Sequence, residues 1–375
     1  MASYTIGAGV TRDFSDIDGG GTQVANLDDV TVSYTGKGTA DAAWAGADGS
    51  RAVVITVNGI YEQEAGVTVK IGTHGTKEMY ILESGQARIL GTAANPCAII
   101  MTDIADSANN IYLFLGGYFY AQYTAISDIY NIECRAGIVE LHNCTVTGRT
   151  PLRSFNGFGV YRVFNSTITS TVASQYIFGD AVSTNAFAVN SKFYTLTDDY
   201  LGFGTRSSVF TFAGCTYQGA PIAANDFRLT TQDIDIRIYE ASVATESTPL
   251  SGVNIGVSHP SIDSLGMLYD STNYVKIPAY LSYPTTSAAG TATIYTLQKS
   301  AYWSSGTAVN NRLWESWSDS AKTETGDNQK YTFTFSKVGY VSQSGTAWSG
   351  ANPAAVTLAA ISGGGAGGRM VQGMV

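Results

Sequence analysis

Apolar and polar residues alternate within short segments of the stretch 117–219, and these segments recur along the chain. The clearest pair is Ile138–Val146 and Val160–Ile168, which carry apolar residues at matching positions on both sides of a polar step. Weaker copies run over Ala186–Phe193 and Val209–Tyr217. Alternation with a period of two predicts strands rather than helices.

A polar corner divides each segment. The corner residues are Asn143, Asn165, Asn190 and Gly214, at spacings of 22, 25 and 24, and Tyr118–Thr124 fits one step earlier at a spacing of 21, which places Gln122 at its corner. Asparagine tolerates the left-handed backbone conformation that a sharp corner requires, and glycine adopts it without penalty. Stacked asparagine side chains can also hydrogen-bond along the column.

A fixed period of this size indicates stacked units, none of which buries its apolar face alone. The alignment predicts two inward columns: Leu141, Val163, Ala188 and Phe212 form one, and Val146, Ile168, Phe193 and Tyr217 form the other. The simplest structure with these properties is a right-handed parallel β-helix with coils of just over twenty residues.

This period and this corner chemistry resemble those of the pectate-lyase-like β-helix proteins. That group includes polysaccharide lyases and hydrolases, pectin esterases and many phage tailspikes. The resemblance covers roughly half of the chain, and two other segments are similar to parts of such proteins. Ser3–Asp16 looks like the opening of many phage and bacterial β-helix proteins, and Ala52–Glu62 with Val67–Ile71 resembles the first coils of pectin-esterase-like β-helices. The resemblance implies a fold, but the activity has to be inferred from the residues of a site.

The repeat ends at Gly219–Asp226, and the strands predicted beyond it are longer. Pro249–Val257 and Tyr331–Tyr340 resemble carboxypeptidase-regulatory-like modules, which are β-sandwiches without catalytic machinery. We therefore predict an all-β chain, with a right-handed parallel β-helix followed by an antiparallel β-sandwich of the Ig-like or prealbumin-like type. The predicted parts are an N-terminal cap or attachment segment (1–50), the β-helix (51–222), the β-sandwich (223–361) and a Gly-rich tail (362–375).

Composition agrees with an all-β protein that has many tight turns. Only 14% of the residues are charged, against about 25% in an average domain, and there are 41 glycines. The net charge of -9 and the lack of a basic cluster argue against a nucleic-acid groove. No stretch has the length of a membrane span, and the first residues do not form a signal peptide, so we expect synthesis in the cytoplasm. The four cysteines, which we expect to be buried and unpaired, are Cys97, Cys134, Cys144 and Cys215.

Carboxylates are the first candidates for chemistry, because a β-helix glycosidase needs two of them on adjacent coils. The acids of the predicted β-helix are Asp103, Asp106, Asp128, Glu133, Glu140, Asp180, Asp198 and Asp199. Asp103 and Asp128 lie 25 residues apart and could stack on one face, but no further acid joins them in register. A solvated sheet face ordinarily shows the same spacing, and this is the interpretation that we favour.

Other reactive groups lack partners in the sequence. A lyase of the related families needs a calcium-binding acid cluster and an Arg or Lys base near it. Arg153 and Arg162 fall on successive coils, but no acid cluster is predicted opposite them. The histidines are His74, His142 and His259. No two of them have the spacing of metal ligands. His142 is predicted to point outward, where it would face solvent or form part of a contact surface. Asp16–Gly21 is expected to be an ordinary turn rather than a calcium loop. We therefore predict no catalytic residue, no metal and no cofactor, and no enzymatic activity.

Aromatic residues crowd into two predicted coils. They are Tyr112, Phe114, Tyr118, Phe119, Tyr120, Tyr123 and Tyr130. By alternation some of them face outward, where aromatic rings stack on sugars or on another subunit. A broad aromatic stack that closes the side of the β-helix explains them equally well.

Together these features predict a non-enzymatic structural protein on the surface of a bacteriophage virion, as a capsid decoration or a fibre or spike component. Phage β-helix proteins of this resemblance are commonly homotrimers. The expected partners are therefore further copies of the chain and other capsid or tail proteins, with a host surface glycan left open, and neither nucleic acid nor membrane. The tail at 362–375 should be ordered only when a neighbouring subunit holds it. The alternatives are a tailspike that binds or degrades polysaccharide, and a bacterial surface adhesin.

Overall fold

A computed structural model shows the protein as an all-β chain. The structure describes residues 2–6, 23–27, 30–34, 38–43, 53–57, 60–71, 77–83, 85–101, 109–154, 159–173, 175–179, 184–196, 200–204, 208–223, 226–229, 234–258, 267–269, 285–303, 332–347 and 356–361. These residues include no α-helix, and none of them forms a helix long and apolar enough to cross a membrane. The chain divides into two compact units: one comprises residues 1–238 and 300–313, and the other comprises 239–299 and 314–375.

The strands are short in the first part of the chain and include longer ones after residue 230. In chain order the first are β1 (Ala2–Ile6), β2 (Gln23–Leu27), β3 (Val30–Tyr34), β4 (Gly38–Ala43), β5 (Val53–Val57), β6 (Ile60–Gln63), β7 (Val67–Ile71), β8 (Lys77–Ile81), β9 (Gln86–Leu90), β10 (Cys97–Met101), β11 (Asn109–Leu113), β12 (Tyr118–Gln122), β13 (Thr124–Ile129), β14 (Asn131–Cys134), β15 (Ile138–His142), β16 (Thr145–Gly148) and β17 (Leu152–Ser154). They are followed by β18 (Val160–Phe164), β19 (Thr167–Ser170), β20 (Tyr176–Gly179), β21 (Asn185–Val189), β22 (Lys192–Tyr194), β23 (Tyr200–Gly204), β24 (Ser208–Ala213), β25 (Thr216–Tyr217), β26 (Ala220–Pro221), β27 (Phe227–Leu229), β28 (Ile234–Thr245), β29 (Asn254–Ser258), β30 (Met267–Tyr269), β31 (Thr291–Trp303), β32 (Thr332–Ser336) and β33 (Gln343–Ala347).

Three parallel sheets build the first unit, and the chain visits them in turn. The first sheet has the order β1-β3-β6-β9-β12-β15-β18-β21-β24, the second β4-β7-β10-β13-β16-β19-β22-β25, and the third β2-β5-β8-β11-β14-β17-β20-β23-β27. Each of these strands therefore pairs with strands one coil away, and only the short β26 at the end of the second sheet pairs antiparallel with its neighbour in sequence, β25, among the described strands of these three orders. This winding confirms the predicted parallel β-helix, while its right-handedness stays a prediction.

The two predicted columns of apolar residues lie inside the β-helix. Backbone register places Leu141 beside Val163, Val163 beside Ala188, and Ala188 beside Phe212. The second column, Val146, Ile168, Phe193 and Tyr217, is in register in the same way. All eight side chains are buried. Full burial of a residue such as Leu141 contributes about 1.5–3 kcal/mol, so each member of these columns stabilises its coil.

The corner residues adopt the left-handed backbone conformation that the sequence predicts. The φ angles are 54° at Asn143, 49° at Asn165, 48° at Asn190 and 61° at Gly214. One coil earlier the prediction is wrong by one residue. Gln122 pairs with His142 at the end of its strand, and the next residue, Tyr123, turns the corner with a φ of 44°. A large aromatic residue such as Tyr123 rarely adopts positive φ, so its residue type does not mark it as a corner.

A ladder of small polar side chains lies immediately behind the corners. The backbone N–H of Cys144 donates to Oγ of Ser166 at 2.9 Å, and the N–H of Ser166 donates to Oγ of Ser191 at 3.2 Å. The N–H of Ser191 donates to Sγ of Cys215 at 3.4 Å. In each case a side chain of one coil accepts a hydrogen bond from a buried backbone N–H of the coil before it. Cys144 and Cys215 are buried and unpaired, as are the other two cysteines, which confirms the prediction for all four.

The strand pairs among the described residues of the second unit are antiparallel. A three-stranded sheet has the order β29-β32-β33, and β30 pairs with β31. A buried carboxylate, Glu246, accepts the backbone N–H of Leu358 at 2.7 Å and fastens the segment 356–361 to the end of β28. Antiparallel structure is therefore present where the sequence predicts it, and the packing of two sheets into a sandwich stays a prediction. The tail at 362–375 lies outside the described residues.

Candidate functional site on the outward faces of the β-helix

Charged and aromatic side chains collect on the outward faces of the first and third sheets. On the first sheet the strands β12, β15 and β18 place Tyr120, Glu140 and Arg162 side by side in one column. The next outward column contains His142 and Phe164. We call Tyr118, Tyr120, Glu140, His142 and Arg162 the glutamate cluster.

Glu140 is the centre of the glutamate cluster. Nε2 of His142 donates to its Oε1 at 2.8 Å. Its Oε2 accepts the hydroxyl of Tyr118 at 3.2 Å and Nη1 of Arg162 at 3.3 Å. The side chain of Glu140 is 12% exposed, and that of Arg162 is 35% exposed. Three donors from three consecutive coils therefore surround one largely buried carboxylate.

These contacts set the charge states of Glu140 and Tyr118. Burial would raise the pKa of Glu140, but the hydrogen bonds and charges of His142 and Arg162 outweigh burial and hold the pKa below its usual 4.5. Burial and the adjacent Glu140 carboxylate raise the pKa of the Tyr118 hydroxyl. At neutral pH Glu140 is thus ionised and Tyr118 keeps its proton.

Rings stack along the same face of the first sheet. The ring centroids of Tyr120 and His142 are 5.4 Å apart, and those of His142 and Phe164 are 4.6 Å apart. Phe187 then meets Phe164 edge-on at 5.7 Å. His142 is outward as predicted, but its side chain is only 16% exposed, since both its ring and its nitrogen are engaged by neighbours.

The third sheet carries a second cluster, which we call the aromatic ladder: Tyr80, Tyr112, Phe114 and Arg135. The rings of Tyr80 and Tyr112 stack at 5.1 Å with 15° between their planes. The guanidinium carbon of Arg135 lies 4.9 Å from the centre of the Tyr112 ring and 5.3 Å from that of Phe114. Ring faces in the ladder thus contact other rings or a cation, and such contacts stabilise by about 0.5–1 kcal/mol each at exposed sites.

Carboxylates anchor both ends of the aromatic ladder. Oε1 of Glu133 accepts Nε of Arg135 at 2.7 Å, and its Oε2 lies 3.6 Å from Nη1 of Arg153. At the other end the Tyr80 hydroxyl donates to Glu78 at 2.5 Å. Burial, followed by the charges of Glu78 and Glu133, raises the pKa of Tyr112 to about 12. The ladder is therefore a stack of three uncharged rings and one cation, held between two carboxylates.

One expectation about these acids is corrected. Glu133 is 4% exposed, and Glu140 is largely buried, so neither lies on a solvated face. Arg153 and Arg162 each meet one carboxylate of the preceding coil, Glu133 and Glu140 respectively, which the sequence analysis did not predict, and neither contact is an acid cluster. The pairing of Glu140 with Arg162 could have been predicted from the sequence, since the two residues are 22 apart, the same spacing as the first pair of corners.

Most of the remaining candidate site residues lie outside the described residues. Asp128 is half-buried at a φ of 60°, with Oγ of Ser127 at 3.4 Å from its carboxylate. The candidates outside the described residues are His74, Asp103, Asp106, Asp180, Asp198, Asp199, His259 and Asp16–Gly21. The pairing of Asp103 with Asp128 therefore stays a prediction. Within the described ranges no three residues of the types His, Cys, Asp and Glu come together as a metal would require.

Both clusters connect consecutive coils through mutually compensating charges. The glutamate cluster contains a carboxylate, an imidazole, a phenol and a guanidinium, which are the groups of acid–base catalysis, but they are hydrogen-bonded to one another. The chemistry that the arrangement supports most directly is cross-coil bracing. Comparisons with protein-family models, with curated proteins and with solved structures find no match to this chain.

Proposed function

We propose that this chain is a non-enzymatic structural protein, and that its β-helix is a stiff scaffold on the surface of a bacteriophage virion. The observation that carries the proposal is the pairing within the two outward clusters. Glu140 and Glu133 each bind side chains from neighbouring coils, so their charges hold the stack together.

The shifts in pKa support a structural role for these groups. A general acid or base works best with a pKa near the operating pH. In the glutamate cluster the pKa of Glu140 is lowered and those of Tyr118 and Tyr120 are raised, so each of these three shifts leads away from neutrality. Hydrogen bonds within the cluster also occupy the carboxylate oxygens that a substrate would need.

The location and the assembly are inferred from the character of the chain. Low charge, many small polar residues and a stacked fold suit a protein that is exposed outside a cell and packs against identical copies. We propose a homotrimer with the β-helices side by side, and a second unit in which the β29-β32-β33 sheet is one layer of a β-sandwich that contacts other virion proteins.

The decisive experiment is a search for polysaccharide cleavage. The full chain is incubated with acidic and neutral bacterial polysaccharides, and new reducing ends and unsaturated sugars are measured. We expect none from the wild type. Cleavage that disappears in Glu140→Gln while the variant stays folded would refute the proposal. Sedimentation equilibrium tests the trimer, and capsid or tail genes beside the gene for this chain would agree with the virion location.

A further inference from the structure

Tyr123 occupies a corner for which its side chain is poorly suited. It joins β12 to β13 with a φ of 44°, and the equivalent residues of the next coils are Asn143, Asn165 and Asn190. Asparagine visits this left-handed region readily, whereas a bulky aromatic residue there is a strained outlier. Strained residues persist where the surroundings enforce them, and they cluster at functional sites.

The side chain of Tyr123 is also available to a ligand. It is 36% exposed. The neighbouring tyrosines on β11 and β12 use their rings or hydroxyls within the protein: Tyr112 stacks on Tyr80, and Tyr120 donates to Gln122 at 2.9 Å. In the part of the chain that the structure describes, the ring and the hydroxyl of Tyr123 have no such contact.

Polar, uncharged groups flank this ring along the β-helix axis. In the preceding coil the corner is expanded into the loop 91–96, where the N–H of Thr92 donates to the Asn95 carbonyl at 3.0 Å and the N–H of Asn95 donates to the Thr92 carbonyl at 3.1 Å. This loop begins and ends against Tyr123. A Cβ on Gly91 would lie 2.4 Å from the Tyr123 carbonyl oxygen, and the N–H of Cys97 donates to that oxygen at 3.0 Å.

On the other side the exposed Asn143 continues the row of corners. Exposed residues around Tyr123 are small or polar, and they include Thr92, Ala94, Ala125 and Thr145. None of the described residues in the loop 91–96, or at the corners from Tyr123 to Gly214, carries a charge, while the corner one coil before the loop contains the exposed Glu64. The surroundings thus offer hydroxyls and amides beside one aromatic ring.

We propose that Tyr123, the loop 91–96 and Asn143 form a binding site for a neutral saccharide. The ring would stack on the C–H face of one sugar, while the amide of Asn143 and the hydroxyl of Thr92 exchange hydrogen bonds with sugar hydroxyls. A protein partner is less suitable, since a protein interface needs a larger apolar centre than one ring among small polar residues. This site goes beyond the proposed function, because a scaffold requires no ligand.

The test is Tyr123→Asn in the full chain, measured for stability and for binding. Asparagine matches the other corners, so the melting temperature should rise by about 2 °C. Binding is followed by saturation-transfer NMR with neutral hexasaccharides of glucose, galactose and mannose, with oligogalacturonate as the charged comparison. We expect one or more neutral hexasaccharides to bind the wild type and to bind Tyr123→Asn at least about tenfold more weakly.

Tyr200→Asn is the matched control, because Tyr200 is 38% exposed but lies in β23 and stacks on Tyr176 at 6.4 Å. It should lower the melting temperature and leave binding unchanged. The proposal is overturned if no neutral hexasaccharide binds, if only oligogalacturonate binds, or if Tyr123→Asn melts below the wild type. It is also overturned if the wild type self-associates and Tyr123→Asn does not, since the ring would then be a contact between subunits. A failed binding test leaves the scaffold proposal intact, and polysaccharide cleavage would refute that proposal separately.

Discussion

Replacing Glu140 with glutamine tests whether the glutamate cluster holds the coils together. The substitution keeps the size of the side chain and removes the charge that Arg162 and His142 face. Hydrogen bonds to a charged group contribute about 1.5–3 kcal/mol each, and the partly exposed Arg162 recovers some hydration when its partner is lost. We therefore expect Glu140→Gln to lower the free energy of unfolding by about 1.5–3 kcal/mol at neutral pH.

The effect should depend on pH in a defined direction. The pKa of Glu140 is lower in the folded chain than its usual 4.5, so the folded state favours the ionised form. The stability that this provides is fully present above pH 4.5 and is lost as the pH falls through the folded pKa. The difference between wild type and Glu140→Gln should therefore shrink as the pH falls below 4.5.

Urea unfolding monitored by circular dichroism, at neutral pH and in steps below pH 4.5, measures both quantities. Glu83→Gln is the matched control, because Glu83 is exposed in the turn after β8 and its replacement should change stability by less than about 0.5 kcal/mol. If the two variants are equally stable at neutral pH, or if the deficit of Glu140→Gln stays constant in acid, the bracing role is refuted.

Two further predictions concern the interior. Leu141→Ala should lower the free energy of unfolding by about 2–5 kcal/mol, because the cavity lies beside the small Ala121, whereas Ile138→Ala on the outward side of β15 should lower it less. The opposite order in a urea titration would mean that the strand register is shifted by one residue. Burial raises the pKa of the Cys144 and Cys215 thiols to about 12, so a thiol reagent should label them slowly in the folded chain and rapidly in denaturant. Fast labelling of the folded chain would show that these corners open.

The inward columns and most of the corners could be predicted because two independent signals coincide there. Alternation identifies Leu141 and Val163 as inward, and asparagine at the corners sets the alignment between coils. Tyr123 carried no such signal, because its residue type contradicts the conformation that it adopts. The fold was thus predictable wherever local preference and tertiary structure agree.

The outward clusters were harder to predict, for a geometric reason. The number of residues per coil varies with the lengths of the connections, so a charged residue has several potential partners one coil away. Glu133 and Arg153 are 20 residues apart, and Glu140 and Arg162 are 22 apart. Only the register of the strands selects these pairs and shows that the carboxylates are buried.

The ladder behind the corners has a direction, and this bears on how the chain folds during synthesis. Each acceptor, Ser166, Ser191 and then Cys215, lies one coil later in sequence than the donor it satisfies. A coil that has just left the ribosome therefore keeps an unsatisfied corner N–H until the following coil arrives. Growth adds coils at the C-terminal end, where each new coil completes the one before it. Among the described rungs the one at Cys215 uses a thiol, a weaker acceptor than a hydroxyl, at 3.4 Å, so it should be the weakest of the three.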